Sequence, residues 1–147
     1  MQQFANAART IQRDAVRSSV VFEICWVDGD ILNVRMSGFF SLGEMKALEA
    51  ETEHLLRQKP AGPFFGLAEI SPLPVQRPDV VFRLRDLLST LRTAGMANGA
   101  MVVQSMLVKL QTRRAVDTGR AAYFDKQEDA VAWLATRRDA IKSGSAT

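Results

Sequence analysis

Residues 31–44, ILNVRMSGFFSLGE, decide the fold. Ile31, Asn33 and Arg35 alternate with Leu32, Val34 and Met36, and a period of two places the second set on the buried face of a strand. A glycine ends the strand. Ser41 and Glu44 then have the spacing of a capping box, in which the hydroxyl takes a free N–H while the carboxylate reaches back. The helix behind this box carries Met45, Leu48, Thr52, Leu55 and Leu56 on one side. Its other side carries Glu49, Glu51, Glu53 and Arg57. KPAGP, residues 59–63, stops it, because proline and glycine continue a helix only at a cost.

Upstream, VVFEICWV (20–27) is rich in β-branched and aromatic residues and reads as a strand. Asp28-Gly29 is a tight-turn signal, so the two strands should form an antiparallel hairpin. Before them, Phe4, Ala8, Ile11 and Ala15 lie at helical spacing. This predicts an amphipathic helix within residues 1–18. It is too lightly apolar to stand alone in water, so it should rest on its own domain or on a second copy. Phe4, Ala8 and Ile11 are the candidate dimer contact.

Downstream, FFGLAEI (64–70) reads as a buried strand. Pro78 suits the first turn of a helix. Val80, Val81, Leu84, Leu87, Leu88 and Leu91 form its broad apolar face, and Gly95 is its expected C-cap. MANG (96–99) reads as a turn and GAMVVQS (99–105) as the next strand. A helix from Met106 to about Thr118, capped by Ser105, leads to a last strand, AAYF (121–124). DKQE (125–128) has cap spacing before a final amphipathic helix, and residues 143–147 form a polar tail. The order α-ββ-αβ-αβ-αβ-α predicts an α/β domain over residues 19–142, with a mixed five-stranded sheet that is parallel apart from the opening hairpin.

This layout resembles the STAS domain family, the anti-sigma factor antagonists, and within it the SpoIIAA-like branch that overlaps in shape with lipid-binding SEC14-type domains. The resemblance rests on ILNVRMSGFFSLGE and on the closing AAYFDKQEDAVAWL, with Phe124, Ala130, Trp133 and Leu134, and covers about residues 19–142. It implies a regulatory domain that acts through protein–protein contact. It also implies a phosphoacceptor in the loop EISPLPVQRPDV (69–80), where Ser71 is the candidate. The family's Ser-Gly step is missing there and Pro72 and Pro74 stand instead, so Ser71 is expected to remain unphosphorylated. Those prolines hold the loop's shape at low entropic cost.

The 147 residues, 47% apolar and 24% charged with a net charge of +3, describe an ordinary globular chain with a core. There is no basic stripe with interleaved aromatics, which argues against nucleic acid. No apolar run reaches the roughly 20 residues of a membrane span. One cysteine, Cys25, and no apolar leader stretch predict a cytoplasmic location.

Catalytic chemistry finds no foothold. His54 is the only histidine. It has no glycine-flanked serine to partner it, and the Glu51–His54 spacing lacks the second pair that a di-iron site needs. Asp28 and Asp30 fall in a hairpin turn. No GxGxxG pattern cradles a phosphate. Neither a cofactor nor a metal is expected. Arg77 could meet an anion at the following helix N-terminus. Lys109, Arg113, Arg114 and Arg120 form a local basic cluster suited to an acidic partner or simply to solvent. Phe82 falls on the polar side of its helix, opposite Val81, Leu84 and Leu88, and could mark a contact surface.

These observations predict a non-enzymatic STAS-like domain that binds another protein, with homodimerisation possible. The alternative is a carrier for a small apolar ligand or lipid, and that reading requires an apolar cavity between sheet and helices.

Overall fold

The computed structural model describes residues 9–12, 21–70, 76–103 and 121–143. Six strands form one sheet in sequential order. They are β1 (Arg9–Gln12), β2 (Val21–Val27), β3 (Ile31–Ser37), β4 (Phe64–Glu69), β5 (Met96–Val102) and β6 (Ala121–Phe124). Three helices are described: α1 (Leu42–Leu56), α2 (Pro78–Ala94) and α3 (Gln127–Lys142). The pairs β1–β2 and β2–β3 are antiparallel and the rest are parallel. Strands β2 to β6 are thus the expected five, in the expected sense.

The local signals act as chemistry predicts. Asp28 and Gly29 turn the hairpin with φ of 55° and 84°. Ser41 and Glu44 close the capping box: the Glu44 N–H donates to Ser41 Oγ at 3.2 Å and the Ser41 N–H to Glu44 Oε1 at 2.9 Å. Pro78 opens α2, and Gly95 ends it in the left-handed region, with φ of 119°.

Three expectations are corrected. Residues 9–12 form a strand where a helix was expected, with Ile11 opposite Phe22. The edge of β2 offers unpaired N–H and C=O groups, and the β-branched pair Thr10-Ile11 suits an extended partner better than a weakly apolar helix. Met96–Gly99 is not a turn but the first half of β5. The reversal is completed by Gly95 alone, and β4 captures the chain at once, with a register shift between Phe64 and Phe65. Third, α3 starts without a side-chain cap, its N-cap being Lys126. Burial of Ala130 and Leu134 against the sheet holds it instead. Ser71, the helix expected over Met106–Thr118 and the tail from residue 144 lie outside the described residues.

Both faces of the sheet are covered. Leu32, Met36, Phe64 and Met101 belong to the main core with Met45, Leu48 and Leu55 of α1 and Val80, Leu87 and Leu91 of α2. Ile31, Phe65, Leu67, Ala100 and Val102 form a second core under α3. This second layer explains why Ile31 and Asn33, on the far side of β3 from Leu32, are buried too. Arg138 of α3 grips Asp30 with two hydrogen bonds, of 3.0 and 2.6 Å, and fixes the helix to the hairpin turn.

Candidate functional site: an apolar cavity between sheet and helices

On the face beneath α1 and α2, a period of two brings Gly66 and Ala68 of β4 and Gly99 of β5 toward the helices. A filled core would have branched side chains there. These positions carry almost none, Met96 lies over Gly66 and Gly99, and a cavity of about 100 Å³ opens on this face. Among the described residues, its walls come from Leu32, Val34 and Met36 of β3, from Met45, Leu48 and Thr52 of α1, and from Val81, Leu84, Leu87 and Leu88 of α2. Met96 and Met101 of β5 complete it. All six apolar positions expected on α2 line this space. Val80, Leu87 and Leu91 are buried, while Val81, Leu84 and Leu88 are half-buried.

The polar side chains at the wall, Thr52, Gln76, Arg92 and Asn98, are engaged already, and an ion pair outside the wall links the two helices. The Thr52 hydroxyl donates to the Leu48 carbonyl at 2.8 Å. The Gln76 carboxamide accepts from the Phe40 N–H at 2.8 Å and donates to the Gly38 carbonyl at 3.0 Å. Arg83 of α2 holds Glu49 of α1 through two hydrogen bonds, of 2.9 and 2.6 Å, and keeps the two helices side by side. The hydrogen bond and charge of Glu49 push the Arg83 guanidinium pKa above its ordinary value.

At the C-terminal ends of β3 and β4, large apolar side chains reach solvent. Phe39 is 52% and Phe82 59% exposed, and Leu42, three residues after Phe39 at the start of α1, is exposed as well. The Arg85 guanidinium lies 5.5 Å from the Phe82 ring centre. Phe82 is therefore on the polar side of its helix, as its spacing predicts. Phe39 and Leu42 were missed, although FFSL announces them: of two adjacent phenylalanines, a turn can bury only one, and Phe40 is the one buried.

Of the remaining candidates, only Arg77 and Ile11 fall among the described residues. Arg77 is the N-cap of α2 and pairs with Asp79 at 2.7 Å. Ser71, Lys109, Arg113, Arg114, Arg120, Phe4 and Ala8 lie outside the described residues. Ile11 is in β1. His54 is exposed on α1, and no group of metal-ligating side chains occurs among the described residues. Cys25 is buried in β2, where burial chiefly, and the charge of Glu23 next, raise its thiol pKa. No helix among the described residues is long and apolar enough to cross a membrane.

No protein-family model matches this chain. No curated protein matches it either. Among solved structures it is similar to an uncharacterized protein of the DUF3478 family with a SpoIIAA-like fold from Shewanella loihica PV-4. The TM-score is 0.59 at 19% identity, over 84% of this chain and 98% of that one. The fold expected from ILNVRMSGFFSLGE is the fold observed: this chain is a SpoIIAA-like α/β domain.

Proposed function

We propose that this SpoIIAA-like domain works by binding rather than by catalysis, and that its ligand is a small apolar molecule held between the sheet and helices α1 and α2. The apolar cavity of about 100 Å³ carries this reading. It meets the requirement that the carrier alternative placed on the fold. Burying hydrocarbon there stabilises a complex by about 25 cal/mol per Å² of apolar surface removed from water. Native mass spectrometry on protein purified from its own cells tests the proposal. A discrete added mass, lost on denaturation, is the expected result. A bare chain mass that persists when hydrocarbon is supplied would count against it.

A second reading has its own observation. Phe39, Leu42 and Phe82 each expose apolar surface, and aromatic residues are enriched in protein interfaces. A regulatory role through protein–protein contact, the function that the STAS resemblance implies, would use these side chains. Phe82→Glu should then abolish binding to a purified partner without lowering the melting temperature. Undiminished binding would move the interface elsewhere.

A further inference from the structure

We propose that Met96 determines which apolar ligands the cavity accepts, by acting as its yielding floor. This rests on the reading of the cavity as a ligand site. Gly66 and Gly99 are direct partners across the β4–β5 pair. A β-carbon on Gly66 would stand 2.7 Å from Met96 Sδ, and one on Gly99 would stand 3.8 Å from Met96 Cε. Neither glycine has a positive φ. The backbone therefore does not require glycine at either position; the space requires it at Gly66, whereas a β-carbon on Gly99 would only touch the Met96 methyl group. The Met96 thioether lies in the trough that two ordinary side chains would fill.

Volume makes this consequential. A cavity of about 100 Å³ is smaller than the engineered cavity of roughly 150 Å³ that holds benzene. A ring-sized ligand is held more fully if a wall moves. Leucines and valines on helices are stiff and backed by their own turns. Met96 is unbranched, has three rotatable side-chain bonds and a polarizable sulfur, and adapts its shape to what it touches. Met36, Met45 and Met101 share this chemistry at the wall, but Met96 is the one set against two glycines, and it is the wall that gives. The ligand class follows from the polar groups. Thr52 and Gln76 are hydrogen-bonded within the protein, and Arg92 at the wall is engaged as well. A charged or strongly polar ligand would lose its water without gaining a partner. The cavity takes neutral hydrocarbon.

The substitutions then have signs. Gly66→Ala places a methyl group where the sulfur now lies and drives Met96 up into the cavity. Met96→Ala removes the floor and enlarges the space. Naphthalene, followed by its fluorescence on titration into the full chain, is the probe, with melting curves to establish folding. Met96→Ala should bind it more tightly and Gly66→Ala more weakly, each on the order of tenfold, a difference of about 1.4 kcal/mol. The double substitution should behave like Met96→Ala, because the displaced thioether is gone. If Gly66→Ala does not fold, Met96→Leu, stiffer at similar volume, takes its place as the weaker binder. Folded single variants that both retain wild-type affinity, or a double variant as weak as Gly66→Ala, would overturn the role of Met96 and leave the cavity reading standing. If neither the wild type nor Met96→Ala takes up naphthalene, the cavity reading fails and this proposal falls with it.

Discussion

The Gln76 side chain accepts the Phe40 N–H at 2.8 Å across 36 residues of sequence, and its amide nitrogen donates to Gly38 at 3.0 Å. One carboxamide thus ties the loop after β3 to the entry of α2. Gln76→Leu, similar in size, leaves a buried donor and an acceptor unpaired. It should cost about 1–3 kcal/mol. Urea denaturation reads this as a lower midpoint at unchanged slope. A loss below about 0.5 kcal/mol would mean that water or a relaxed loop replaces Gln76.

Two ion pairs separate burial from mere proximity. Arg138–Asp30 and Arg77–Asp79 approach to 2.6 and 2.7 Å. The first pair is mostly covered and bidentate, while the second is about half exposed. Double-mutant cycles should give about 1.5–3 kcal/mol for the covered pair, as for hydrogen bonds to charged groups. They should give roughly 0–1 kcal/mol for the exposed pair, falling further with salt. Equal coupling energies would refute the distinction.

Cys25 should be inert until the chain unfolds. Burial raises its thiol pKa above the ordinary value, with Glu23 adding to the effect. The unfolded chain therefore releases this proton at lower pH than the folded one. The sign follows: the contribution of Cys25 to stability is intact below about pH 8.5, the usual thiol value, and falls as pH rises toward the folded pKa. Cys25→Ala should flatten the stability–pH curve in that window. A thiol reagent should label Cys25 no faster than global unfolding allows. Rapid labelling of the native protein would show that β2 opens locally.

Most elements are legible because their signals are local. Asp28-Gly29, the Ser41–Glu44 box, Pro78 and Gly95 each fix dihedrals or pair free N–H and C=O groups within a few residues. The alternation in 31–36 and the stripe from Val80 to Leu91 then state which sides are buried. Residues 9–12 misled because their spacing fits a weak helix, while the partner that makes them a strand is the edge of β2. Met96–Gly99 misled for the same reason: two glycine-rich steps look like a turn until β4 pairs with them.

The cavity belongs to another order of information. Gly66, Ala68 and Gly99 are small residues in two separate strands, and nothing near them in sequence says that they meet. Amino-acid order by itself determined most of the elements, the hairpin and the buried stripes, since each follows from backbone dihedrals and side-chain period, while the SpoIIAA-like layout was suggested by resemblance and the strand order was set by the tertiary structure. Only the tertiary structure decided that Gly66 faces Gly99 beneath Met96 and that Gln76 reaches Phe40. The register between distant strands sets which side chains share a space, and the side chains missing at Gly66 and Gly99 are what let Met96 lie against the sheet beside the cavity.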